Sequence, residues 1–489
     1  MTRNILLGGK IRQFRQRRGW TQSALAARLD LSASYLNLLE NNKRGVTVPV
    51  LLKLAKTFKV DLDSFAANDE ARLTAELKEA FSDAVFEGQP LNSADIVNLA
   101  HQAPLAARAV LDLYRAYRSV RDDAQALATQ VSAGAERGQV EHYSLPSEEV
   151  SDLLEERNNH FPELEEAATE LWKSARLSNS DLQARLTRHL EETFDVRIDV
   201  VPSKEIDGAA RIFDTSKKKL RVSETLPFSS HVFQLAHQIG LLTLDSLFMN
   251  RIEHADLSTE DSRALAKVAL ANYFAGAVMM PYDRFLEAAV DARYDLEILK
   301  HRFSASFEQV AHRLTTLNRP GNSGVPFHFV RIDIAGNVSK KFSGSGIPFS
   351  RYGGACPRWN IHAAFATPNS IRVQFSRMPD GNAYLCIARG IQKGGGGHRT
   401  PQTQLAIGLG CHVEHAQELV YSDGIDLSNL DAAVPIGISC RICERVDCLQ
   451  RAFPPLRQQL DIDINRRGLT FYQGVNQATP PTTEPPADS

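Results

Sequence analysis

The chain is 489 residues long, 43% apolar and 23% charged, with a formal net charge of −2. That length exceeds what one core organises and predicts about three domains, while the composition is that of an ordinary globular protein. No apolar run approaches the roughly 20 residues that span a bilayer, and MTRNILLGGKIRQFR lacks the features of a secretory signal, so a cytoplasmic protein without a membrane partner is expected. The small net charge conceals an asymmetry: residues 1–66 carry 12 Lys and Arg against 4 Asp and Glu, a net +8 that leaves −10 for the remainder. A basic small domain on an acidic body is what binding to phosphate groups requires.

In chain order, residues 8–66 read as five short helices, because apolar positions recur at helical spacing between polar breaks. Residues 68–138 are rich in Ala, Leu, Arg and Glu, broken by Pro90 and Pro104, and predict helical hairpins that serve as a connector or dimerisation arm. A polar hinge over 132–149 follows. Residues 150–320 begin helical, pass through the strand-like VRIDVV and KKKLRV, and return to helices, which predicts an α+β unit. From 325 to 470, runs such as FHFVRIDI, SIRVQFSRM and AYLCIAR alternate with Gly-rich turns and predict a second, sheet-based α+β domain; the tail from 476 to 489 reads as disordered. The run KGGGGHR (393–399) lacks a phosphate-loop pattern and reads as a hairpin loop.

Within WTQSALAARLDLSASYLNLLENNKRG, Thr21 and Ser32 are placed to cap successive helices, and Leu25, Ala26, Leu29, Leu31, Leu36 and Leu39 to face inward. The second helix then presents Ala33, Ser34, Asn37, Leu38 and Asn41 outward, short or hydrogen-bonding groups suited to base edges in the major groove of double-stranded DNA. Asn37 is the candidate base reader and Leu38 the candidate contact to a thymine methyl. Gln22 and Ser32 join this set, and Arg12, Arg15, Arg17, Arg18, Lys43 and Arg44 are candidates for phosphates. A helical bundle with solvated basic residues is the plain alternative. The whole stretch, continued by VLLKLAKTFKVDLDSF, resembles the XRE-type helix-turn-helix.

HVFQLAHQIGLLTLD invites comparison with H-E-x-x-H, in which two histidines on one helix face bind zinc and the glutamate activates water. His237 is present, but Gln238 stands in the glutamate position and Leu241 in that of the second histidine. A neutral amide is no general base and leucine no ligand. The downstream VALANYFAGAVMMPYDRF resembles zinc peptidases of the ImmA/IrrE type, in which an acidic third ligand falls where Val268, Ala269 and Leu270 stand here. No protease activity, and no catalytic residue, is therefore expected. Such a cleft is suited to a small ligand, with Gln234, His237, Gln238 and Asn272 as polar candidates; a hydrogen-bonded core histidine is the alternative for His237.

All six cysteines lie between 356 and 448. Cys440, Cys443 and Cys448 form C-x2-C-x4-C in GISCRICERVDCLQRAFPP, a spacing compatible with zinc, with an iron-sulfur cluster, or with buried unligated thiols. Cys411 and Cys356 are the candidates for a fourth ligand, and Arg441, Arg445 and Arg451 could offset a cluster's negative charge.

Taken together, LNLLENNKRGVTVPVL, RNNHFPELEEAATEL, FQLAHQIGLL, ALANYFAGAVMMPY, CPRWNIHAAF, MPDGNAYLCIAR, AIGLGCHVEHAQELVYSDG and VPIGISCRICERVDCLQRAFP resemble the short-chain fatty acyl-CoA regulators, over residues 8 to 460. The resemblance implies a multidomain fold: an all-α helix-turn-helix, a helical connector, a degenerate zincin-like α+β domain, and an α+β C-terminal domain that is GAF-like by analogy. It implies control of propionyl-CoA, methylcitrate or glyoxylate-type metabolism, a short-chain acyl-CoA as effector, and a [4Fe-4S] cluster in at least some members. Cys356, Cys411, Cys440, Cys443 and Cys448 match the family pattern and Cys386 does not, so the ligand set stays open. Asn159 and His160, in the family-matching NHFP stretch, are candidates for the pocket rim. A homodimer or higher homo-oligomer is expected, a two-fold dimer reading half-sites about 10 base pairs apart. The competing readings are an iron-sulfur redox-sensing regulator without an acyl-CoA effector and, against the lost motif, a zinc peptidase acting on a repressor.

Overall fold

The computed structural model describes residues 8–40, 43–58, 68–86, 92–132, 146–255, 257–350, 355–394, 402–440, 442–445 and 447–454. It divides into two compact units, residues 1–142 with 350–353, and residues 143–349 with 354–489.

The first unit is helical. Helices α1 (Gly8–Arg17), α2 (Gln22–Leu29), α3 (Ala33–Glu40) and α4 (Val48–Phe58) enclose a core of Ile11, Leu25, Leu29, Leu36, Leu39, Leu54 and Phe58. Four of the five expected helices are thus seen, and residues 59–67 lie outside the described residues. The punctuation is local. Thr21 Oγ1 accepts from the Ala24 amide at 3.1 Å, Ser32 Oγ accepts from the Tyr35 amide at 3.1 Å, and Asp30 closes α2 in the left-handed region at φ 55°. Helices α5 (Asn68–Ala80), α6 (Ser93–Gln102) and α7 (Pro104–Ser132) follow around a separate core of Leu73, Leu77, Ile96, Ala107, Leu111 and Tyr114. Pro104 opens α7 at the one turn where a missing amide proton costs nothing; Pro90 lies outside the described residues.

The second unit opens with α8 (Pro146–Glu156), α9 (Pro162–Ser174) and α10 (Leu182–Phe194). A small sheet of β1 (Arg197–Val201), β2 (Arg211–Asp214) and β3 (Lys219–Ser223) comes next, with β3 central, parallel to β1 and antiparallel to β2. Helices α11 (Phe228–Thr243), α12 (Asp245–Glu253), α13 (Glu260–Met279), α14 (Tyr282–Asp291), α15 (Leu296–Arg302) and α16 (Phe307–Leu314) complete the expected α+β unit. The hairpin β4 (Asn318–Arg319) and β5 (Asn322–Ser323) leads into β6 (Phe327–Asp333) and β7 (Val338–Ser343), the short helix α17 (Asn360–Ala363), then β8 (Arg372–Arg377), β9 (Ala383–Gly394), β10 (Gln402–His412) and β11 (Val434–Pro435). The larger sheet has the order β11-β8-β9-β10-β6-β7 and is antiparallel apart from the β11-β8 pair.

Both faces of that sheet are buried. One carries Phe327, Phe329, Leu385, Ile387, Ile407 and Leu409 into the same core as Phe307, Val310 and Leu314 of α16, so the boundary near residue 320 is not a break in packing. The other face packs under Trp359, Ile361 and Ile436. Two glycines of β10 make that second face possible: a Cβ at Gly410 would lie 2.6 Å from the His328 ring, and one at Gly408 2.9 Å from Val330. Among the described residues no single helix is long and apolar enough to cross a membrane.

Candidate functional sites: reading head, former metal cleft and cysteine loop

In the reading head, α3 buries Leu36 and Leu39 and leaves Ala33, Ser34, Asn37 and Leu38 exposed, as its periodicity requires. Ser32 serves first as the cap of α3, with its hydroxyl also 3.1 Å from that of Ser34. Lys43 and Arg44 are exposed, and the Arg44 guanidinium lies over the Tyr35 ring at 5.5 Å. Asn41 lies outside the described residues, as does the side chain of Arg17.

Two side chains assigned outward, Arg15 and Gln22, turn inward instead. Glu40, at the end of α3, is 3% exposed, and Arg15 grips it with two bonds of 2.6 and 3.0 Å. The Gln22 amide donates to the same carboxylate at 2.8 Å, and the Arg12 guanidinium lies 3.7 Å away. A carboxylate taken out of water must be met by charge and donors. That demand draws Arg15 away from phosphates and occupies the amide donor of Gln22. Arg18 likewise donates to the Phe58 carbonyl at 3.1 Å.

The former metal cleft is built by α11 and the edge strand β2. Arg211, which carries no motif of its own, extends its guanidinium to both positions of interest: one Nη donates to Gln238 Oε1, and the other sits 2.7 Å from His237 Nδ1. A guanidinium only donates, so Nδ1 must be the bare nitrogen of a neutral imidazole. The ring is further held by a backbone hydrogen bond at Val268, in the segment where the resemblance locates an acidic ligand. Burial and the Arg211 charge push the His237 pKa down to about 4, and burial lowers that of Arg211 to about 10. The ground in front of His237 therefore holds a fixed cation. Gln234 and Asn272 are half-buried on α11 and α13.

Asn159 and His160 do not form a rim. They are 1% and 7% exposed and belong to a different, buried network. Glu165 of α9 takes a two-bonded Arg313 at 2.7 and 2.9 Å and the Tyr273 hydroxyl at 2.6 Å. The His160 ring nitrogen lies 3.4 Å from that hydroxyl, and the Asn159 amide donates to Thr315 Oγ1 at 2.8 Å. Such a network orients α9, α13 and α16, and removing one partner of its ion pair costs about 3 to 5 kcal/mol because the other is left charged and buried. A groove of about 930 Å³ bordered by Asp283, Arg284, Glu287, Arg302 and Phe303 includes none of the expected pocket residues.

All six cysteines are free. Cys356 and Cys440 are buried, Cys443 and Cys448 half-buried. Burial lifts the Cys356 thiol to about 11, with Cys440 and Cys443 adding to the rise, and Cys448 acts on Cys443 in the same way. The Cys356 amide donates to the Ile438 carbonyl at 3.1 Å, and Trp359 Nε1 to that of Gly437 at 2.9 Å. Arg451 donates to the carbonyls of Cys440 at 2.6 Å and Cys443 at 2.9 Å, and the Ala452 amide points at the Cys440 sulfur at 3.4 Å. Among the described residues no three of His, Cys, Asp and Glu stand at metal-ligating spacing, so the group is a loose one. Arg441 lies outside the described residues.

Cys411 is not part of it. On β10 it pairs with Leu385 and Phe327 and faces the core shared with the helices, the side of the sheet opposite to Cys356. Side chains alternate along a strand, so Cys411 and Gly410 look in opposite directions.

Comparison with known proteins adds the family. Residues 11–65 match a helix-turn-helix model, residues 191–315 the IrrE N-terminal-like domain, and residues 316–472 the C-terminal domain of the short-chain fatty acyl coenzyme A regulators. The chain is 41% identical, over 97% of its length and all of the relative's, to the propionyl-CoA carboxylase regulator of Cereibacter sphaeroides. It is 40% identical to the HTH-type transcriptional regulator RamB of Mycobacterium tuberculosis, covering 95% of this chain and 98% of RamB. Its identity to the HTH-type transcriptional regulator PrpR of the same organism is 37%, covering 96% of each. A solved Mycobacterium tuberculosis transcriptional regulator aligns with a TM-score of 0.64 at 39% identity, over 68% of this chain and all of that one. With a DNA-reading head, an IrrE-like unit and a cysteine-bearing sheet in one chain, the protein is a helix-turn-helix transcriptional regulator and belongs to the short-chain fatty acyl-coenzyme A regulators.

Proposed function

We propose that this regulator binds a short-chain acyl-CoA through its IrrE-like unit and, as a homodimer, converts that binding into a change in operator affinity. The observation that carries the reading is Arg211: a guanidinium fixed in front of His237 and Gln238 makes the cleft a receptor for an anionic ligand and unfit for zinc. With Gln238 and Leu241 standing where the general base and second histidine would be needed, the unit is read as a binding module. The relative named as a propionyl-CoA carboxylase regulator supports propionyl-CoA metabolism as the regulated process. Effector binding acts only through different affinities for two arrangements of the chain.

The cysteine loop is read as the site of a [4Fe-4S] cluster held by Cys356, Cys440, Cys443 and Cys448, which would supply sensitivity to oxidation. The influence of Cys440 and Cys443 on Cys356, and of Cys448 on Cys443, supports that ligand set, although in this structure the thiols do not stand at metal-ligating spacing; burial raises the Cys443 thiol, and the charges of Arg451 and Arg445 offset part of that rise. This group also favours a second reading, a redox-sensing regulator with no acyl-CoA effector.

A panel of acyl-CoAs from acetyl to hexanoyl, followed by thermal unfolding and operator binding, separates the two. An effector at a hundred times its Kd raises stability by about 2.7 kcal/mol. Propionyl-CoA is expected to produce that rise and to shift operator affinity. If no member of the panel does either while oxidation changes DNA binding, the acyl-CoA reading fails.

A further inference from the structure

Among the described residues, most of the basic side chains of the large sheet are matched to carboxylates. Lys341 meets Glu148 at 2.8 Å, Arg389 meets Glu297, and Arg331 and Lys393 both meet Glu308 of α16, Arg331 at 2.8 Å. Among the described residues Lys340 makes no ion pair or hydrogen bond of its own, although it is only partly exposed; the carboxylate that acts on it, Glu308, is already engaged by Arg331 and Lys393. Its position makes that costly. In the β6-β7 register Lys340 stands directly across from Arg331, which puts two cations side by side on one face of the sheet. Directly opposed like charges destabilise a strand pair. Three cations thus share a single carboxylate, a local surplus of two positive charges, with Lys393 keeping the group open to solvent at 47% side-chain exposure.

We propose that Lys340, Arg331 and Lys393 form a phosphate-binding site on the α16 side of the C-terminal sheet. A phosphate dianion matches the surplus in charge. The Arg331 fork, already aligned by Glu308 and by Ser339 Oγ at 2.8 Å, and the two lysine ammonium groups supply donors from different strands. Burial, with Arg331 and Lys393, pushes the Lys340 ammonium down to about 8, which a bound anion would reverse. The phosphate could be free or belong to a larger ligand such as a coenzyme A. The site does not depend on the acyl-CoA reading, since inorganic phosphate alone tests it.

The full-length protein is titrated with inorganic phosphate and pyrophosphate in chloride at matched ionic strength, followed by phosphorus NMR and thermal unfolding. Saturable binding is expected, weakened about tenfold in Lys340→Gln, the worth of one charge-assisted hydrogen bond. Lys217→Gln, which removes the same charge from an exposed turn between β2 and β3, is expected to bind as the parent does. Parallel titrations with coenzyme A and its dephospho form identify the source. Loss of affinity for both phosphate and coenzyme A in Lys340→Gln assigns the site to a ligand's phosphate, and loss for phosphate alone assigns it to the free ion. The proposal is overturned if phosphate and pyrophosphate do not saturate the parent protein, or if Lys340→Gln binds them equally well. An acyl-CoA panel without effect beside intact phosphate binding would remove the effector and keep the site.

Discussion

The former metal cleft and the cysteine loop are both places where ligand-type side chains gather, and their neighbours divide them. In the cleft a cation, Arg211, occupies the space in front of His237 and holds the ring neutral. At the loop, Arg451 is spent on the backbone carbonyls of Cys440 and Cys443, while its charge favours the Cys443 thiolate. A fixed positive charge disfavours a metal cation in the first case, and in the second it offsets part of the rise that burial imposes on the Cys443 thiol. The difference teaches that a lost catalytic motif need not leave an empty pocket: a new side chain can fill it and change the sign of what it attracts.

The sharpest test of this contrast is metal content. Protein purified without oxygen is expected to contain iron and sulfide, and Ser substitution of Cys356, Cys440, Cys443 or Cys448 is expected to abolish them. Cys411→Ser should keep both, because Cys411 faces the opposite side of the sheet. Zinc alone at the loop, or iron lost from a folded Cys411→Ser, would break the assignment.

A smaller effect concerns pH at the cleft. The His237 pKa lies near 4 in the fold against an ordinary value of 6.5, so the unfolded chain takes up protons first as the pH falls. The stability tied to neutral His237 is therefore complete above about pH 6.5 and lost as the pH falls towards 4, by up to about 3 kcal/mol. Denaturant unfolding at pH 7 and pH 4.5 should show a smaller difference for His237→Gln than for the parent. Equal differences would mean that the ring is not held neutral by its surroundings.

The smallest expected effect is that of Arg211→Ala. Leaving the His237 and Gln238 groups without their donor costs about 1 to 3 kcal/mol, the price of unmet buried polar groups. The same change removes a cation beside the imidazole and narrows the pH response described above. A variant as stable as the parent, with an unchanged pH profile, would show that the guanidinium does not hold the cleft.

The helical grammar of the reading head was legible because it is local. Leu25, Ala26, Leu29, Leu36 and Leu39 fall on the buried face that their spacing predicts, and Thr21 and Ser32 cap the helices they precede. The strands read from FHFVRIDI and AYLCIAR are present as β6 and β9. The absence of Glu and His at positions 238 and 241 was equally plain, since a motif is defined by short spacing.

Pairings across long separations were not legible. Arg15 was assigned to phosphates, but its partner Glu40 lies 25 residues away, and only the folded core shows that the carboxylate is out of water. Arg211 is an ordinary residue of a strand until α11 brings His237 beside it. Asn159 and His160 were assigned to a rim because their stretch matched a family; their burial follows from helices more than a hundred residues downstream.

By itself, then, the sequence determined the helix-turn-helix, its outward face, the loss of the zinc motif and the grouping of Cys440, Cys443 and Cys448. Each of these depends on residues within one or two turns of one another, where backbone geometry alone sets the outcome. Only the tertiary structure decided that Arg211 reaches His237 and Gln238, that Cys356 and Cys411 lie on opposite sides of the large sheet, and that Lys340 stands beside Arg331 with no ion pair of its own among the described residues. Those outcomes depend on which strand lies next to which and on how much water is left between them, and desolvation has no representation along a one-dimensional chain.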